Sequence, residues 1–170
     1  MCRRDVLALA CCIAMLAVAS RNVATQAPAP TILKVMGDVR TPLSLSPDDL
    51  TTMPRARVEV RDEDGRDVKY EGVLAGEILR RAGATLGTEL RGNAMATYVR
   101  AIASDGYEVV FSLAELDPAF TGSEIIVADT IDGKPLFAYQ GPLRIVAPKD
   151  TRPARSVRML ERLEVVRVKK

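Results

Sequence analysis

Three Asp-Gly pairs, Asp64-Gly65, Asp105-Gly106 and Asp132-Gly133, punctuate this chain. Such a pair tolerates the left-handed backbone of a tight hairpin turn, and apolar–polar alternation beside it marks the strands it joins. Arg57-Val58-Glu59-Val60-Arg61 alternates before the first pair, and Val68 and Tyr70 lie on the return run. Residues 97–103 alternate before the second, with Tyr98, Arg100 and Ile102 on one side, and residues 107–111 bring the chain back. Residues 124–130, a nearly continuous apolar run, precede the third and predict an interior strand. A chain folded back at such short intervals builds small sheets from short strands rather than a doubly wound parallel sheet.

The remaining elements follow from local signals. Ile32, Leu33, Val35 and Val39 predict a first strand, residues 143–147 another, and residues 163–168 a last alternating one. Ser46-Pro47-Asp48-Asp49-Leu50 reads as an N-cap, a proline and two acids in a first turn, so one or two helical turns end before Pro54. Over residues 73–82 the period becomes helical: Val73, Ile78, Leu79 and Ala82 share a face, and Gly83 suits the C-cap. Gly76 inside that helix is a mild cost that close packing would explain. Ser112-Leu113-Ala114-Glu115-Leu116 begins a short helix that Pro118 ends. The chain has no repeat and no low-complexity tract. The expectation is one α+β domain over residues 28–170, with mixed short-stranded sheets and short helices.

Residues 1–27 read as a signal peptide and spacer. Arg3 and Arg4 precede an apolar run at residues 6–19 that ends in Ala17-Val18-Ala19, the pattern of a secretory leader, with cleavage near residues 19–27. The run is shorter than the roughly 20 apolar residues a spanning helix needs. An uncleaved anchor is the alternative, and Arg3-Arg4 also matches two residues of a twin-arginine signal. The polar, proline-containing residues 24–31 then form a spacer. The predicted location is periplasmic or secreted.

Cys2, Cys11 and Cys12 all lie within that leader, and the chain has no His and no Trp. The body is therefore held by its core without disulfides. Zinc, copper and iron sites are built mainly from Cys and His, so only an all-oxygen calcium or magnesium site remains open. A Cys–His pair and a Ser–His–Asp triad are excluded, and the sequence nominates no catalytic residue. Lys plus Arg number 24 against 22 Asp plus Glu, and aromatics make up 4%. A near-neutral balance argues against nucleic acid as a partner.

Residues 128–161 collect the chemically usable groups. Lys149, Arg152, Arg155, Arg158 and Arg162 form a spaced basic run, and arginine forks match phosphate and carboxylate. Asp150 and Glu161 dilute it, so the competing reading is a solvated face with ordinary ion pairs. In Gly141-Pro142-Leu143-Arg144, glycine and proline fix the entry to a strand, and Arg144 at its head needs a partner. That partner is an acid or a ligand. A flat heterocycle would stack on one of the few aromatics (Tyr98, Tyr107, Phe111, Phe120, Phe137, Tyr139), each of which is more often core. Tyr107, Tyr139 and Asp129, whose carboxylate suits ring amines, are the possible pocket residues.

Four motifs in order then resemble one family. They are Gly72-Val73 with Glu77-Ile78-Leu79 and Gly83; Asp105-Gly106-Tyr107 followed by Phe111-Ser112-Leu113; Gly133-Lys134-Pro135-Leu136 with Gly141-Pro142-Leu143-Arg144-Ile145-Val146-Ala147-Pro148; and Ala154-Arg155-Ser156-Val157-Arg158-Met159. Together, over residues 32–168, they resemble the sulfite-oxidase-type molybdopterin-binding domain. The resemblance implies that fold and a pterin–dithiolene cofactor whose phosphate meets the basic segment. Carried over residue by residue, it nominates Arg155, Ser156 and Arg158, with Arg144 as a further contact.

The chain also departs from the family pattern. Its second Gly-Pro motif is one residue short, and Met159 stands where the family has tryptophan. Catalytic members hold molybdenum through a cysteine before the Gly-Val helix, and the corresponding region near Arg61-Asp62 has none. Small exported members that bind a pterin without redox work, some signalling through a partner, are the better match. The expectation is thus an exported pterin- or molybdopterin-binding domain, non-catalytic and without molybdenum. It would act as sensor, carrier or regulator through a membrane or periplasmic protein. The alternatives are a molybdopterin-dependent oxidoreductase, or a subunit of one, and a ligand-free protein-interaction module.

Overall fold

The computed structural model describes residues 32–62 and 64–168; the leader and spacer lie outside the described residues. All three Asp-Gly pairs occupy hairpins. The first joins β3 (Arg55–Arg61) to β4 (Asp67–Leu74), the second β5 (Thr97–Ala103) to β6 (Glu108–Ser112), and the third β7 (Ile126–Ile131) to the short β8 (Lys134–Pro135). At the third, Asp132 and Gly133 both take positive φ, 47° and 76°, as a primed hairpin turn requires. The Asp132 carboxylate also accepts from the Lys69 amide at 3.0 Å, which ties this turn to β4.

β1 (Leu33–Gly37), β2 (Leu43–Leu45) and β10 (Leu160–Arg167) join β5 and β6 in one sheet, in the order β2-β1-β10-β5-β6. β1 runs parallel to β10, and the other pairs are antiparallel. The second sheet is β3-β4-β7-β8, with β9 (Arg144–Val146) also paired to β7. The result is an α+β domain of mixed short-stranded sheets with short helices.

α1 (Pro47–Thr51) has the expected cap: the Ser46 side chain accepts from the Asp49 amide, and the Asp49 carboxylate accepts from the Ser46 amide. α2 (Ala75–Arg81) starts later than its periodicity predicts, because Val73 and Leu74 remain in β4, paired with Val127 and Ile126. Gly83 closes it at φ +74°, and a Cβ on Gly76 would lie 2.2 Å from the Leu116 carbonyl oxygen, the close packing that excludes a side chain there. Leu113–Leu116 and Pro153–Arg155 are single 3-10 turns.

The main core lies between the sheets. Leu33, Val35, Val99, Ala101, Leu163 and Val165 face Val73, Val127 and Ile145, with Phe111, Ile78 and Leu79 completing it. Alternate residues of the second sheet, Val58, Tyr70, Ile126, Ala128 and Val146, form a smaller cluster on that sheet's other face. Arg144 shares the parity of Val146 and so belongs to this second face, beside Tyr70. Among the described residues no helix is long and apolar enough to cross a membrane.

Candidate cofactor site

β9 and the chain before it are held against residues 156–160 by a run of backbone bonds. The Met159 amide donates to the Gln140 carbonyl (2.8 Å), Leu160 to Leu143 (2.9 Å) and Ile145 to Val157 (2.8 Å). This frame sets Arg144 over Tyr70. Its Nη1 donates to the Tyr70 hydroxyl at 2.8 Å, and its guanidinium carbon lies 5.1 Å from the ring centroid. The sequence expected an acid or a ligand as partner, and the structure supplies a phenol. Arg144 Nε is buried without a hydrogen-bond partner among the described residues.

Gln140 is the second unusual group. It is only 8% exposed; its Nε2 donates to the Tyr139 hydroxyl at 3.2 Å, and its Oε1 is buried and unpaired. Tyr139 stacks on Phe137, with centroids 5.7 Å apart and planes within 8°. More than half of each of these two aromatics is exposed. Burial pushes the Tyr70 phenol above its ordinary range, while the Arg144 charge beside it pulls the other way. The bonded pairs Arg144–Tyr70 and Gln140–Tyr139 together make the candidate group. It offers an unpaired donor and an unpaired acceptor, the complement of a heterocycle edge carrying a ring nitrogen or carbonyl beside an N–H. A buried polar atom left unpaired costs about 1–3 kcal/mol, which a ligand that pairs it recovers.

The other nominated basic residues are not brought together. Arg155 forks onto Asp150 (Nε 2.8 Å, Nη2 2.7 Å), donates from Nη1 to Glu115 at 2.6 Å, and lies over the Phe111 ring at 4.9 Å. These carboxylates, Asp150 first, hold its pKa above the usual guanidinium range. Ser156 is half-buried, and its Oγ accepts from the Ala147 amide at 3.2 Å, leaving the hydroxyl proton to donate elsewhere. Arg158 is exposed and has no ion-pair partner among the described residues. The three-residue spacing of the arginines does not become one helical face, because only Pro153–Arg155 is turned.

Of the three possible pocket residues, only Tyr139 joins the Arg144 group. Tyr107 donates to the Ala154 carbonyl at 2.7 Å and so props the basic segment from outside. Asp129 sits in a β-bulge: Glu71 pairs with Thr130 and Gly72 with Ala128, which leaves Asp129 without an opposite residue. The bulge turns its carboxylate to Arg55, which forks onto it at 2.7 and 2.6 Å, and Thr130 Oγ1 adds a bond at 2.7 Å. The pair lines an apolar cleft of about 480 Å³ with Ile32, Leu50, Pro135 and Pro142.

Burial alone would raise the Asp129 carboxyl; the hydrogen bonds from Arg55 and Thr130 outweigh it and hold the group below its usual range. A carboxylate depressed on folding stabilises above its unfolded pKa, about 3.9, and that contribution is lost as pH falls toward the folded value. Asp129→Asn is therefore expected to cost about 1–2 kcal/mol at neutral pH. Its stability should also fall less steeply than the wild type's below about pH 4. Thermal unfolding across pH measures both, and parallel curves for the two proteins would contradict the assignment.

The segment at Arg61-Asp62 closes a turn. The Asp62 carboxylate accepts from the Arg66 amide at 2.8 Å, and Arg61 faces Asp67 at 3.4 Å. Among the described residues no three His, Cys, Asp or Glu side chains gather closely enough to hold a metal ion. Gln140 and Tyr70 were missed by the sequence reading. For Gln140 the available signal is its place directly before Gly141-Pro142, and for Tyr70 the alternation that turns it to the same face as Val58.

A family model described as "Oxidoreductase molybdopterin binding domain" matches residues 22–170. Among solved structures, the chain is similar to the crystal structure of the sulfane dehydrogenase SoxCD from Paracoccus pantotrophus, at 18% identity and a TM-score of 0.61. The alignment covers 78% of this chain and 37% of that one, and at this identity the likeness is one of fold. No curated protein matches the sequence.

Proposed function

The chain belongs to the oxidoreductase molybdopterin binding domain family, and from that premise we propose an exported pterin- or molybdopterin-binding domain that does no redox chemistry of its own. The carrying observation is the buried, unpaired donor–acceptor set of Arg144 Nε and Gln140 Oε1 beside Tyr70. In this reading Arg144 donates to a ring acceptor, Gln140 accepts from a ring N–H, and Tyr139 covers part of the ligand. Ser156, through its hydroxyl, and Arg158 suit the phosphate. Molybdopterin, if bound, would bring a dithiolene able to hold molybdenum.

The donor set fits the pterin and not the usual protein ligand to the metal, because Cys2, Cys11 and Cys12 are the chain's only thiols. That supports binding without turnover. The apolar run after Arg3-Arg4 supports export to the periplasm or exterior. The similar dehydrogenase structure is of the SoxCD complex, and that likeness supports action through a membrane or periplasmic protein partner.

The test is to purify the full chain from molybdate-fed cells and analyse extracted small molecules by fluorescence and mass spectrometry, with metal analysis alongside. The expected result is a pterin at near-stoichiometric level with only trace molybdenum. A stoichiometric metal content would replace this reading with an oxidoreductase. A chain that carries no pterin and takes none up would leave a protein-interaction module.

A further inference from the structure

The resemblance offers Arg155 to the phosphate, yet its guanidinium is already engaged along its edges. Asp150 takes Nε and Nη2, Glu115 takes Nη1, and Phe111 lies against one face. The two carboxylates take three of its five N–H groups and satisfy its charge, so it has little left to offer a phosphate.

The two acids are themselves fixed. Glu115 accepts from the Ser112 amide at 3.2 Å as part of a capping box on the turn Leu113–Leu116, and the Asp150 amide donates to the Ala147 carbonyl at 3.2 Å. Arg155 therefore fastens residues 150–157 to the end of β6. The Ser156 amide closes the Pro153–Arg155 turn, Ser156 Oγ meets the Ala147 amide, and the Val157 carbonyl meets the Ile145 amide. The direction of Ser156 and Arg158 is thus set by where Arg155 is anchored.

We propose that Arg155 is a positioning residue and not a phosphate ligand: its clamp on Asp150 and Glu115 orients Ser156 and Arg158 toward the anionic end of the ligand. This rests on the pterin-binding reading above. It predicts an unusual sign. If Arg155 were a ligand held back by Asp150, Asp150→Asn would release it and tighten binding of a phosphorylated pterin. For a clamp, the same substitution loosens the segment and weakens binding.

The experiment is fluorescence titration of the full chain with neopterin monophosphate and with neopterin, for wild type, Asp150→Asn, Arg155→Lys and Arg155→Gln, with melting temperatures recorded for each. The expected result is a phosphate preference that falls about tenfold in Asp150→Asn and in Arg155→Gln, and partly returns in Arg155→Lys. Tighter monophosphate binding by Asp150→Asn would make Arg155 a ligand and overturn the proposal. An unchanged preference across variants whose melting temperatures fall would overturn it too, leaving Arg155 purely structural. Should Arg155→Gln fail to fold, the Asp150→Asn result decides by its sign. Wild-type protein that binds neither probe removes the pterin reading itself, and this inference with it.

Discussion

Gly72→Ala is expected to cost about 3 kcal/mol or more of stability. A Cβ at that position would lie 2.0 Å from the Val127 carbonyl oxygen and 2.6 Å from Ala128 Cα. Both are backbone atoms of the neighbouring strand, so no side chain can swing aside. Relief requires β4 and β7 to part at the point where the Asp129 bulge draws them together. The same substitution at Gly65 meets nothing within 4 Å and carries only the strain of its φ of +77°, about 1–2 kcal/mol. Urea denaturation of the two variants separates the causes. A Gly72→Ala midpoint no lower than that of Gly65→Ala would show that the strands separate freely, and that the bulge does not depend on the missing side chain.

That position also marks the limit of what the sequence could disclose. Gly72 was legible as part of a motif, but the reason for it, contact with Val127, spans 55 positions and leaves no local trace. The readable elements were those whose causes are local: Asp-Gly turns, the Ser46 cap, the glycine at the end of α2. The start of α2 was misplaced because β7 recruits Val73 and Leu74 into the sheet, overriding a helical period that those residues satisfy equally well. The parallel pairing of β1 with β10 likewise needs the whole fold.

The same distinction divides the site. Arg155 and Arg144 are both arginines in family-like motifs, and composition treats them alike. Their environments separate them: Arg155 finds Asp150 close by and Glu115 across 40 positions, whereas Arg144 finds only Tyr70, 74 positions away. The competing reading of ordinary ion pairs describes Arg155 well. It does not describe Arg144, whose guanidinium meets no carboxylate among the described residues.

Arg144→Met should therefore separate stability from binding. A half-buried guanidinium with an unpaired Nε contributes little net stability, because its desolvation offsets the bond to Tyr70 and the contact with the ring. Methionine fills a similar volume on the apolar face beside Ala128 and Val146, so the change in folding free energy should stay within about 1 kcal/mol of zero. Binding should respond far more strongly. A charge-assisted hydrogen bond is worth about 1.5–3 kcal/mol, roughly ten- to a hundredfold in affinity for neopterin. Gln140→Leu removes the unpaired acceptor and should show the same pattern, stable but weak in binding. Tyr70→Phe keeps the ring and the buried packing and loses only the hydroxyl that holds Arg144 in place, so its binding should fall less than that of Arg144→Met. Melting temperatures together with fluorescence titrations read both quantities. If Arg144→Met unfolds easily while pterin affinity holds, Arg144 is a strut for Tyr70, and the donor–acceptor set at β9 does not receive the ligand.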